Sequence, residues 1–310
     1  MAQDPLAAGD LIAERRFTHA QAAAREGDWS AAAELFEQAL ELAPHWAAAW
    51  FALGEAREKL GDFEAAAQAF RETLVTDPTD AQGAMARLAL IGRGDAPRAL
   101  PQAYVARLFD DYAPRFDKHL TDNLGYRAPA LIAEALSAVA SDRRFGSALD
   151  LGCGTGLMGE ALQGRIGHLA GIDLSAAMIA KARERGIYDR LVVGDAVAML
   201  GRELPGSSDL IVAADALVYI GDLAPLFAAV ARGLTSHGLF AFSVETCEGD
   251  GFKLEPTMRF AHSRSYVETT GREVGLQPLL IRSGSTRREA GADARGLICV
   301  FGKTERQVGA

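Results

Sequence analysis

The pattern of apolar and polar positions divides the chain into two parts that predict different secondary structure. Residues 1–100 are rich in alanine and nearly free of β-branched runs, which predicts helices throughout. From about residue 147, short apolar runs alternate with amphipathic stretches, a pattern typical of βαβ units and a parallel sheet. Glycine and proline interrupt the chain at 93–101, which marks the boundary between the two parts.

The second part contains the elements of an open α/β sheet. Apolar runs predict parallel strands at 147–151, 168–172, 191–193, 209–214 and 238–244. Amphipathic stretches predict helices at 156–164, 175–185, 222–233 and 264–274. A last pair of strands, 276–282 and 296–301, is joined by a polar turn without a helix, so its members must be antiparallel. The segment 248–262 is predicted as a long connection.

The first part contains an internal repeat with a period of 34 residues. The matched pairs are Gly27 and Gly61, Trp29 and Phe63, Ala32 and Ala66, Phe36 and Phe70, and Pro44 and Pro78. This period and residue set resemble tetratricopeptide repeats, in which each unit is a pair of helices. Two unrelated helical hairpins are the alternative, and five coincident pairs disfavour it. Gly54 is expected to allow close helix packing, and a helix at 81–91 to cap the stack.

Charge and composition restrict the classes of partner. The formal net charge is −9, and residues 1–100, with nine basic and sixteen acidic side chains, contribute −7 of it. An acidic surface repels phosphate, so neither nucleic acid nor an anionic membrane is expected as a partner. Three scattered cysteines do not form a disulfide framework, and no apolar run reaches the ~20 residues of a membrane span. Without a secretory signal at its start, the protein is expected to be cytoplasmic.

The most specific segment is a glycine-rich turn after the first predicted strand. Residues 148–157 read Ala-Leu-Asp-Leu-Gly-Cys-Gly-Thr-Gly-Leu, and the alternating glycines let a ligand approach the backbone closely. Open α/β sheets bind ligands at this edge. Asp173 ends the second strand, where a carboxylate accepts hydrogen bonds from ribose hydroxyls, and Asp195 follows the third, within reach of an adenine amino group. As an alternative, each aspartate caps the following helix.

A dinucleotide-binding site is a rival interpretation of the same turn. Gly154, Gly156 and Gly159 match the G-x-G-x-x-G pattern. In a true dinucleotide fold the first glycine directly follows the strand. That glycine is Gly152, and in its register Leu157 occupies the third position. The register therefore disfavours a nicotinamide-dependent dehydrogenase.

The acidic and glycine positions together resemble class I S-adenosylmethionine-dependent methyltransferases. The resemblance rests on Asp150-x-Gly152-x-Gly154-x-Gly156, then Asp173, then Gly194-Asp195-Ala196, and covers residues 147–301. It implies a Rossmann-like, seven-stranded methyltransferase sheet with an antiparallel last strand. With the helical repeats in front, the order resembles bacterial predicted methyltransferases that contain tetratricopeptide repeats. The expected domains are an all-α repeat domain at 1–100, a linker with lid helices at 101–146, and a methyltransferase domain at 147–310.

The resemblance also implies a cofactor site for S-adenosylmethionine. The glycine turn would line the methionine moiety, Asp173 the ribose and Asp195 the adenine amino group, with Leu174 and Met178 beside the adenine ring. The full expected set is Tyr112, Asp150, Gly152, Cys153, Gly154, Gly156, Asp173, Leu174, Met178, Asp195, Ala196 and Ala214.

Residues 108–120 resemble the F-D-x-Y-A-x-x-F/Y-D element that forms a lid helix in many small-molecule methyltransferases. Tyr112 and Phe116 lie four residues apart, on one helix face. A ring face over the sulfonium cation of the donor gains cation–π attraction. This role is expected of Tyr112, whereas Phe116 is expected to pack the lid onto the sheet.

The methyl acceptor is expected at the loops that follow the fourth and fifth strands. Glu245 and His262 are candidate general bases, and Arg259 is a candidate for bidentate binding of an acceptor carboxylate. Tyr219 completes the candidate catalytic set. As an alternative, His262 belongs to the network that starts the next helix. Six histidines without paired ligand spacing predict no metal site.

These patterns predict a methyltransferase that acts on an oxygen, nitrogen or sulfur nucleophile of a small molecule, or of a protein recruited by the repeats. The alternative is a non-catalytic scaffold with a cofactor-binding α/β domain. If the acidic repeats bind a partner, we expect a basic peptide or protein.

Overall fold

The computed structural model describes residues 9–119, 125–289 and 292–304, in two units, Met1–Tyr104 and Val105–Ala310. Leu120 of the predicted lid element lies outside the described residues. Within the described residues, no helix combines the length and the apolar character needed to cross a membrane.

The first unit consists of helical hairpins that repeat with the predicted period. Its helices are α1 (Leu11–Glu26), α2 (Trp29–Leu42), α3 (Ala47–Lys59), α4 (Phe63–Thr76) and α5 (Ala84–Leu90). Gly27 and Gly61 occupy the same turn in both hairpins, with left-handed φ of 83° and 79°. The next residue, Asp28 or Asp62, then caps the second helix by accepting a backbone hydrogen bond. The repeated residues therefore form repeated structure.

Close packing inside the second hairpin depends on a glycine. A Cβ on Gly54 of α3 would lie 2.5 Å from the ring of Phe70 in α4, and that ring is fully buried. Phe51 packs against the same ring at 5.4 Å between centroids. Ala84 and Leu88 of α5 join this cluster, so the helix predicted at 81–91 extends the hydrophobic core beyond the second hairpin.

The second unit contains one mixed sheet. Its strands are β1 (Phe145–Leu151), β2 (Ile166–Asp173), β3 (Arg190–Val193), β4 (Ser208–Ala213), β5 (Leu234–Thr246), β6 (Phe252–Glu255), β7 (Arg259–His262), β8 (Leu276–Glu289) and β9 (Ala292–Lys303). The first five are parallel in the order β3-β2-β1-β4-β5. β9 pairs antiparallel with β5, and β8 with β9. These seven strands are the predicted Rossmann-like sheet with its antiparallel last strand.

Helices cover both faces of this sheet. The helices from the unit boundary onward are α6 (Gln102–Tyr112), α7 (Phe116–His119), α8 (Ala128–Val139), α9 (Leu157–Ala161), α10 (Ala176–Arg185), α11 (Ala196–Arg202), α12 (Ala224–Gly233) and α13 (Arg264–Glu273). On one face, α11, α12 and α13 cover Leu149, Leu151 and Phe242; on the other, α8 and α9 cover Ala148 and Val212. Because side chains alternate along β1, Asp150 points to the same face as Ala148.

Two sequence predictions about loops are wrong. The segment 248–262 is not an irregular connection, because β6 and β7 form a hairpin within it. β7 pairs in parallel with β5 at Glu245 and Thr246, beyond the last β5 residue that pairs with β4. The expected turn between the last two strands is also mostly strand, because β8 continues to Glu289. Its register with β9 shifts between Ser285 and Arg288, a β-bulge that redirects the intervening side chains.

We expect Gly54→Ala to destabilise the repeat unit by about 1–3 kcal/mol, because the added methyl overlaps a ring that has no space to move. Thermal unfolding followed by circular dichroism measures the effect. Gly201→Ala in α11 is the matched control, since a Cβ there meets nothing within 4 Å. At that exposed helix position, alanine is expected to stabilise by about 0.5–1 kcal/mol. Equal effects of the two changes would contradict the packing role of Gly54.

Candidate functional site

Acidic side chains lie at the carboxyl ends of four adjacent parallel strands. In spatial order they are Asp173 on β2, Asp150 on β1, Asp215 after β4 and Glu245 on β5. We call this side of the sheet the carboxyl edge. The predicted cofactor residues lie mainly at β1–β3, which we call the donor half of this edge. The predicted acceptor residues lie at β4, β5 and β7, which we call the acceptor half.

The glycine turn at the end of β1 is fixed by hydrogen bonds to β2. The N–H groups of Gly152 and Cys153 donate to the Ile172 carbonyl at 2.8 and 3.0 Å, and Gly154 donates to Asp173 Oδ2 at 2.9 Å. Gly152 has φ +68°, and a Cβ there would lie 2.5 Å from the Cβ of Ala216. Glycine is therefore required where the donor and acceptor halves of the edge touch.

Asp173 organises this turn through both carboxylate oxygens. Oδ2 accepts from Gly154, and Oδ1 accepts from the Ser175 N–H at 2.9 Å. Burial raises the pKa of Asp173, while these backbone donors oppose the rise. The alternative in which Asp173 caps the following helix is wrong, because Ser175 caps α10. Asp195 does cap its helix, α11, by accepting from Ala198 at 2.7 Å.

Asp150 is the buried carboxylate of the donor half. It has no exposed surface, and its Oδ2 accepts a hydrogen bond of 2.6 Å from the Tyr188 hydroxyl. Within the described residues, its Oδ1 is buried without a hydrogen-bond partner. Burial raises the pKa of Asp150 to about 7, against the lowering effect of the Tyr188 hydrogen bond. A buried, unpartnered carboxylate oxygen beside a glycine turn fits a ligand that brings a positive charge, as S-adenosylmethionine does.

The sequence analysis does not identify Tyr188, although two glycines in the sequence indicate the close approach of a bulky group. A Cβ on Gly159 of α9 would lie 2.8 Å from the Tyr188 hydroxyl oxygen, and a Cβ on Gly171 of β2 would lie 2.8 Å from its ring. Glycines inside a helix and a strand mark close approach of another group. Gly159, the third glycine of the rival dinucleotide pattern, therefore accommodates Tyr188 rather than a pyrophosphate.

The segment before the methyltransferase-like core lies over the donor half. We call residues 105–117 the lid segment. Asp110 accepts from the Ser175 hydroxyl at 2.5 Å and from the Ala177 N–H at 3.1 Å, at the start of α10. Asp117 accepts from the Thr155 hydroxyl at 2.5 Å and from Arg185 at 2.6 Å. The lid segment is thus attached at both the helix start and the glycine turn.

Aromatic side chains of the lid segment continue from the donor half to the acceptor half. Phe116 approaches the glycine turn, 3.9 Å from a Cβ built on Gly154, and stacks edge-on with Tyr112 at 5.0 Å. Phe109 meets Tyr219 edge-on at 5.5 Å. Tyr112 is half-buried in this row, and its cation–π role toward the donor stays a prediction.

Two arginines surround Glu245 in the acceptor half. Arg287 donates to its Oε1 at 2.5 Å and Arg259 at 3.2 Å. Arg259 also lies over the Tyr219 ring, 5.6 Å from its centroid, and 24% of its side chain is exposed, against 3% for Arg287. Arg259 is therefore the cation that a ligand can reach. Asp215, at a left-handed φ of 53°, is held by the hydroxyl groups of Ser243 at 2.9 Å and Thr286 at 3.2 Å.

Arg287, Asp215 and Tyr126 have no counterpart in the sequence prediction. The β8 bulge brings Arg287 to Glu245. Burial and the charges of Asp215 and Asp150 raise the pKa of Tyr126, while Arg287 lowers it. Tyr126 therefore lies between the donor and acceptor halves.

The structure does not support His262 as a general base. The side chain is fully buried, and its Nε2 donates to the carbonyls of Ile220 and Gly221 at 2.9 and 3.1 Å. Burial lowers the pKa of His262 to about 4. The alternative in which His262 starts the next helix is partly right: Ser263, its neighbour, caps α13.

The sequence analysis expects Met178 beside the adenine ring. The side chain is fully buried and presents no surface to such a ring. Leu174, Ala196 and Ala214 are half-buried along the carboxyl edge, and their contacts with the cofactor stay predictions. Among the described residues, no group of three His, Cys, Asp or Glu side chains is arranged to hold a metal ion.

Comparison with known proteins agrees with this architecture. Residues 17–81 match the family described as tetratricopeptide repeat, and residues 148–238 match the one described as methyltransferase domain. The malonyl-[acyl-carrier protein] O-methyltransferase of Chlorobium phaeovibrioides is 36% identical over 126 residues, 37% of this chain and 47% of that protein. The trans-aconitate 2-methyltransferase of Deinococcus radiodurans is 35% identical over 115 residues, 36% of this chain and 43% of that protein. The chain spans about half the length of the curated relatives it matches.

A solved structure extends the agreement to the fold. The 1,6-didemethyltoxoflavin-N1-methyltransferase of Burkholderia thailandensis, with bound 1,6-didemethyltoxoflavin and S-adenosylhomocysteine, superimposes with a TM-score of 0.51 at 20% identity. The match covers 68% of this chain and 93% of that one. Residues 17–81 therefore match tetratricopeptide repeats, residues 148–238 match a methyltransferase domain, and the second unit has the fold of that solved methyltransferase.

Proposed function

We propose that the protein transfers the methyl group of S-adenosylmethionine to a carboxylate oxygen of a small organic acid. The observation that carries this proposal is Arg259, an accessible guanidinium at the acceptor half of the carboxyl edge. Its Nη1 donates to Glu245, and within the described residues its guanidinium makes no other hydrogen bond. A planar guanidinium with free N–H donors suits bidentate binding of a carboxylate.

The residues of the donor half suit the cofactor. The glycine turn and Asp150 would hold its amino-acid end, and Asp173 and Asp195 its ribose and adenine. When bound, S-adenosylmethionine supplies a methyl group activated by the positive sulfonium. The contribution of the protein is to bind and align the two reactants, which in well-oriented systems lowers the barrier by about 7–11 kcal/mol.

Neither predicted general base of the acceptor half, Glu245 or His262, is available to remove a proton. Glu245 is engaged by two arginines, and His262 is fully buried, which lowers its pKa to about 4. Burial raises the pKa of Tyr219, which keeps its hydroxyl protonated. A nucleophile that must lose a proton therefore lacks a side chain among these three to accept that proton. A carboxylate is already ionised and needs no base.

The lid segment excludes water from the carboxyl edge. Asp110 and Asp117 fasten it over the donor half, and its aromatic side chains reach the acceptor half at Tyr219. Removing water strengthens the attraction between Arg259 and an acceptor anion. Two relatives, the malonyl-[acyl-carrier protein] O-methyltransferase and the trans-aconitate 2-methyltransferase, are named for acceptors that carry carboxylates, which favours the same substrate class.

Alkali treatment of the labelled product tests the class of acceptor. The protein is incubated with methyl-labelled donor and either a panel of organic acids or an extract of small metabolites. A methyl ester releases its label as methanol in mild alkali, whereas N-methyl and S-methyl products keep it. Label that resists alkali would contradict carboxylate methylation.

Arg259→Lys is expected to raise the KM for the acid acceptor by about 10–100-fold and to change kcat less, because a bidentate charged contact is lost on binding. Steady-state kinetics at saturating donor measure both constants. Arg190→Lys is the matched control, since Arg190 makes an ion pair with Glu203 at the opposite end of β3 and 52% of its side chain is exposed. An unchanged KM in Arg259→Lys would remove Arg259 from acceptor binding.

Asp173→Ala is expected to weaken binding of S-adenosylhomocysteine roughly 100-fold, since the ribose loses an acceptor and two backbone N–H groups lose theirs. Isothermal titration calorimetry measures the change. Asp28→Ala removes a helix cap in the repeat unit and is expected to leave the affinity unchanged. Full affinity in Asp173→Ala would show that the end of β2 does not hold the donor.

Asp117→Asn is expected to speed dissociation of S-adenosylhomocysteine about tenfold, because the lid segment loses its charged contact with Arg185. Surface plasmon resonance measures the rate. Asp111→Asn, on the same segment, is the control: 73% of that side chain is exposed and its nearest ion-pair contact is 3.9 Å, to Arg107. Equal dissociation rates for wild type and Asp117→Asn would contradict the fastening role.

A further inference from the structure

The contact between Tyr188 and Asp150 is the part of the donor half that the proposed function leaves unexplained. The chain reaches Tyr188 after α10, and the next residue, Asp189, is fixed to β2. The Asp189 N–H donates to the Leu169 carbonyl at 2.8 Å, and its Oδ2 accepts from the Leu169 N–H at 2.7 Å. These two hydrogen bonds determine where the Tyr188 ring enters the unit.

The ring lies in a slot that only glycines can form. Cβ atoms on Gly156, Gly159 and Gly171 would lie 2.8–3.0 Å from atoms of Tyr188. Gly171 is the β2 partner of Asp150 in the sheet register, so the slot leads directly to that carboxylate. Two of these glycines leave room for the ring and Gly159 leaves room for the hydroxyl group, which indicates a built contact rather than incidental packing.

The two carboxylate oxygens of Asp150 have different surroundings. Oδ2 is taken by the Tyr188 hydroxyl at 2.6 Å, and Oδ1 is buried without a partner among the described residues. The hydrogen bond to the charged form favours ionisation, which burial opposes. Tyr188 thus both orients the carboxylate and keeps it available as an anion.

We propose that Tyr188 is a positioning residue for the donor: its hydroxyl holds Asp150 through Oδ2 so that Oδ1 is presented, ionised, to the ammonium group of the donor's methionine moiety. This inference rests on the donor site of the proposed function. Tyr188 itself touches no reactant.

The other titratable groups that face Asp150 come from three elements. Asp173 on β2, the Cys153 thiol in the glycine turn, and Tyr126 in the segment before α8 each interact electrostatically with Asp150. Burial raises the pKa of both Cys153 and Tyr126, so these groups stay neutral. Asp173 is the other acid whose titration must be separated from that of Asp150.

Two probes separate the ammonium contact from the rest of the site. S-adenosylhomocysteine carries the ammonium group, whereas 5′-methylthioadenosine has the same nucleoside and thioether without the amino-acid end. Calorimetric titrations with both probes, from about pH 6 to about pH 8.5, would compare wild type, Tyr188→Phe, Asp150→Asn and the double variant. Phenylalanine keeps the ring in its slot and removes only the hydroxyl group.

In wild type, S-adenosylhomocysteine should bind more tightly as the pH rises through about 7, because Asp150 must lose its proton to accept the ammonium group. In Tyr188→Phe, this rise should move upward by about one pH unit, with about fivefold weaker binding at pH 7 and a loss that approaches tenfold at about pH 6. Affinity for 5′-methylthioadenosine should be the same in both proteins. In the Asp150→Asn background, Tyr188→Phe should have no further effect on the affinity for S-adenosylhomocysteine. Any pH dependence of binding that remains in this background belongs to Asp173.

Equal weakening of both probes in Tyr188→Phe would mean that the hydroxyl group supports the fold rather than the ammonium contact, and would overturn the inference. So would unchanged binding of S-adenosylhomocysteine in that variant, or an undiminished effect in the Asp150→Asn background. If wild type binds 5′-methylthioadenosine but not S-adenosylhomocysteine, the ammonium contact fails while the nucleoside site of the proposed function stands. Binding of neither probe by wild type would overturn both.

Discussion

Four carboxylates on four neighbouring strand ends create the electrostatic problem that the second unit must solve. Like charges in a poorly hydrated region repel each other strongly and need partners. Asp173 uses backbone N–H groups, Asp215 uses hydroxyl groups and the Arg287 guanidinium, and Glu245 uses two arginines. Asp150 has one hydrogen bond, from Tyr188, among the described residues. The arrangement of the whole carboxyl edge follows from how each acid is satisfied, and the least satisfied one lies where a cation is expected.

This distribution gives the two halves of the edge opposite electrostatic roles. The donor half keeps an unpartnered carboxylate oxygen, which suits a positively charged cofactor. The acceptor half uses its acids to hold arginines, and Arg259 remains accessible, which suits an anion. Under the proposed function, reactants of opposite charge would bind in adjacent places. The lid segment strengthens both attractions, because the effective dielectric constant falls when water is excluded.

The sequence predicts those parts of the structure that depend on local patterns. The 34-residue period, the alternation of strands and helices, and the glycine turn each follow from neighbouring residues, and all three are present. The β6–β7 hairpin has only four residues per strand and pairs with β5 beyond β4, so its register depends on distant parts of the chain. Arg287 reaches Glu245 through a β-bulge, and Tyr188 reaches Asp150 across 38 residues. Such contacts leave almost no periodic signal; glycines at 159 and 171 are the exception.

The position of Arg287 in the last hairpin has a consequence for the order in which the chain is made. The donor half draws its strands from residues 145–193, whereas the acceptor half needs Thr286 and Arg287 from β8, which in turn pairs with β9. During synthesis, the chain that emerges from the ribosome therefore contains the three strands of the donor half about ninety residues before it contains the buried arginine beside Glu245. Until that arginine arrives, the carboxylates of the acceptor half have no cation from β8 to neutralise them. Translation thus completes the acceptor half last.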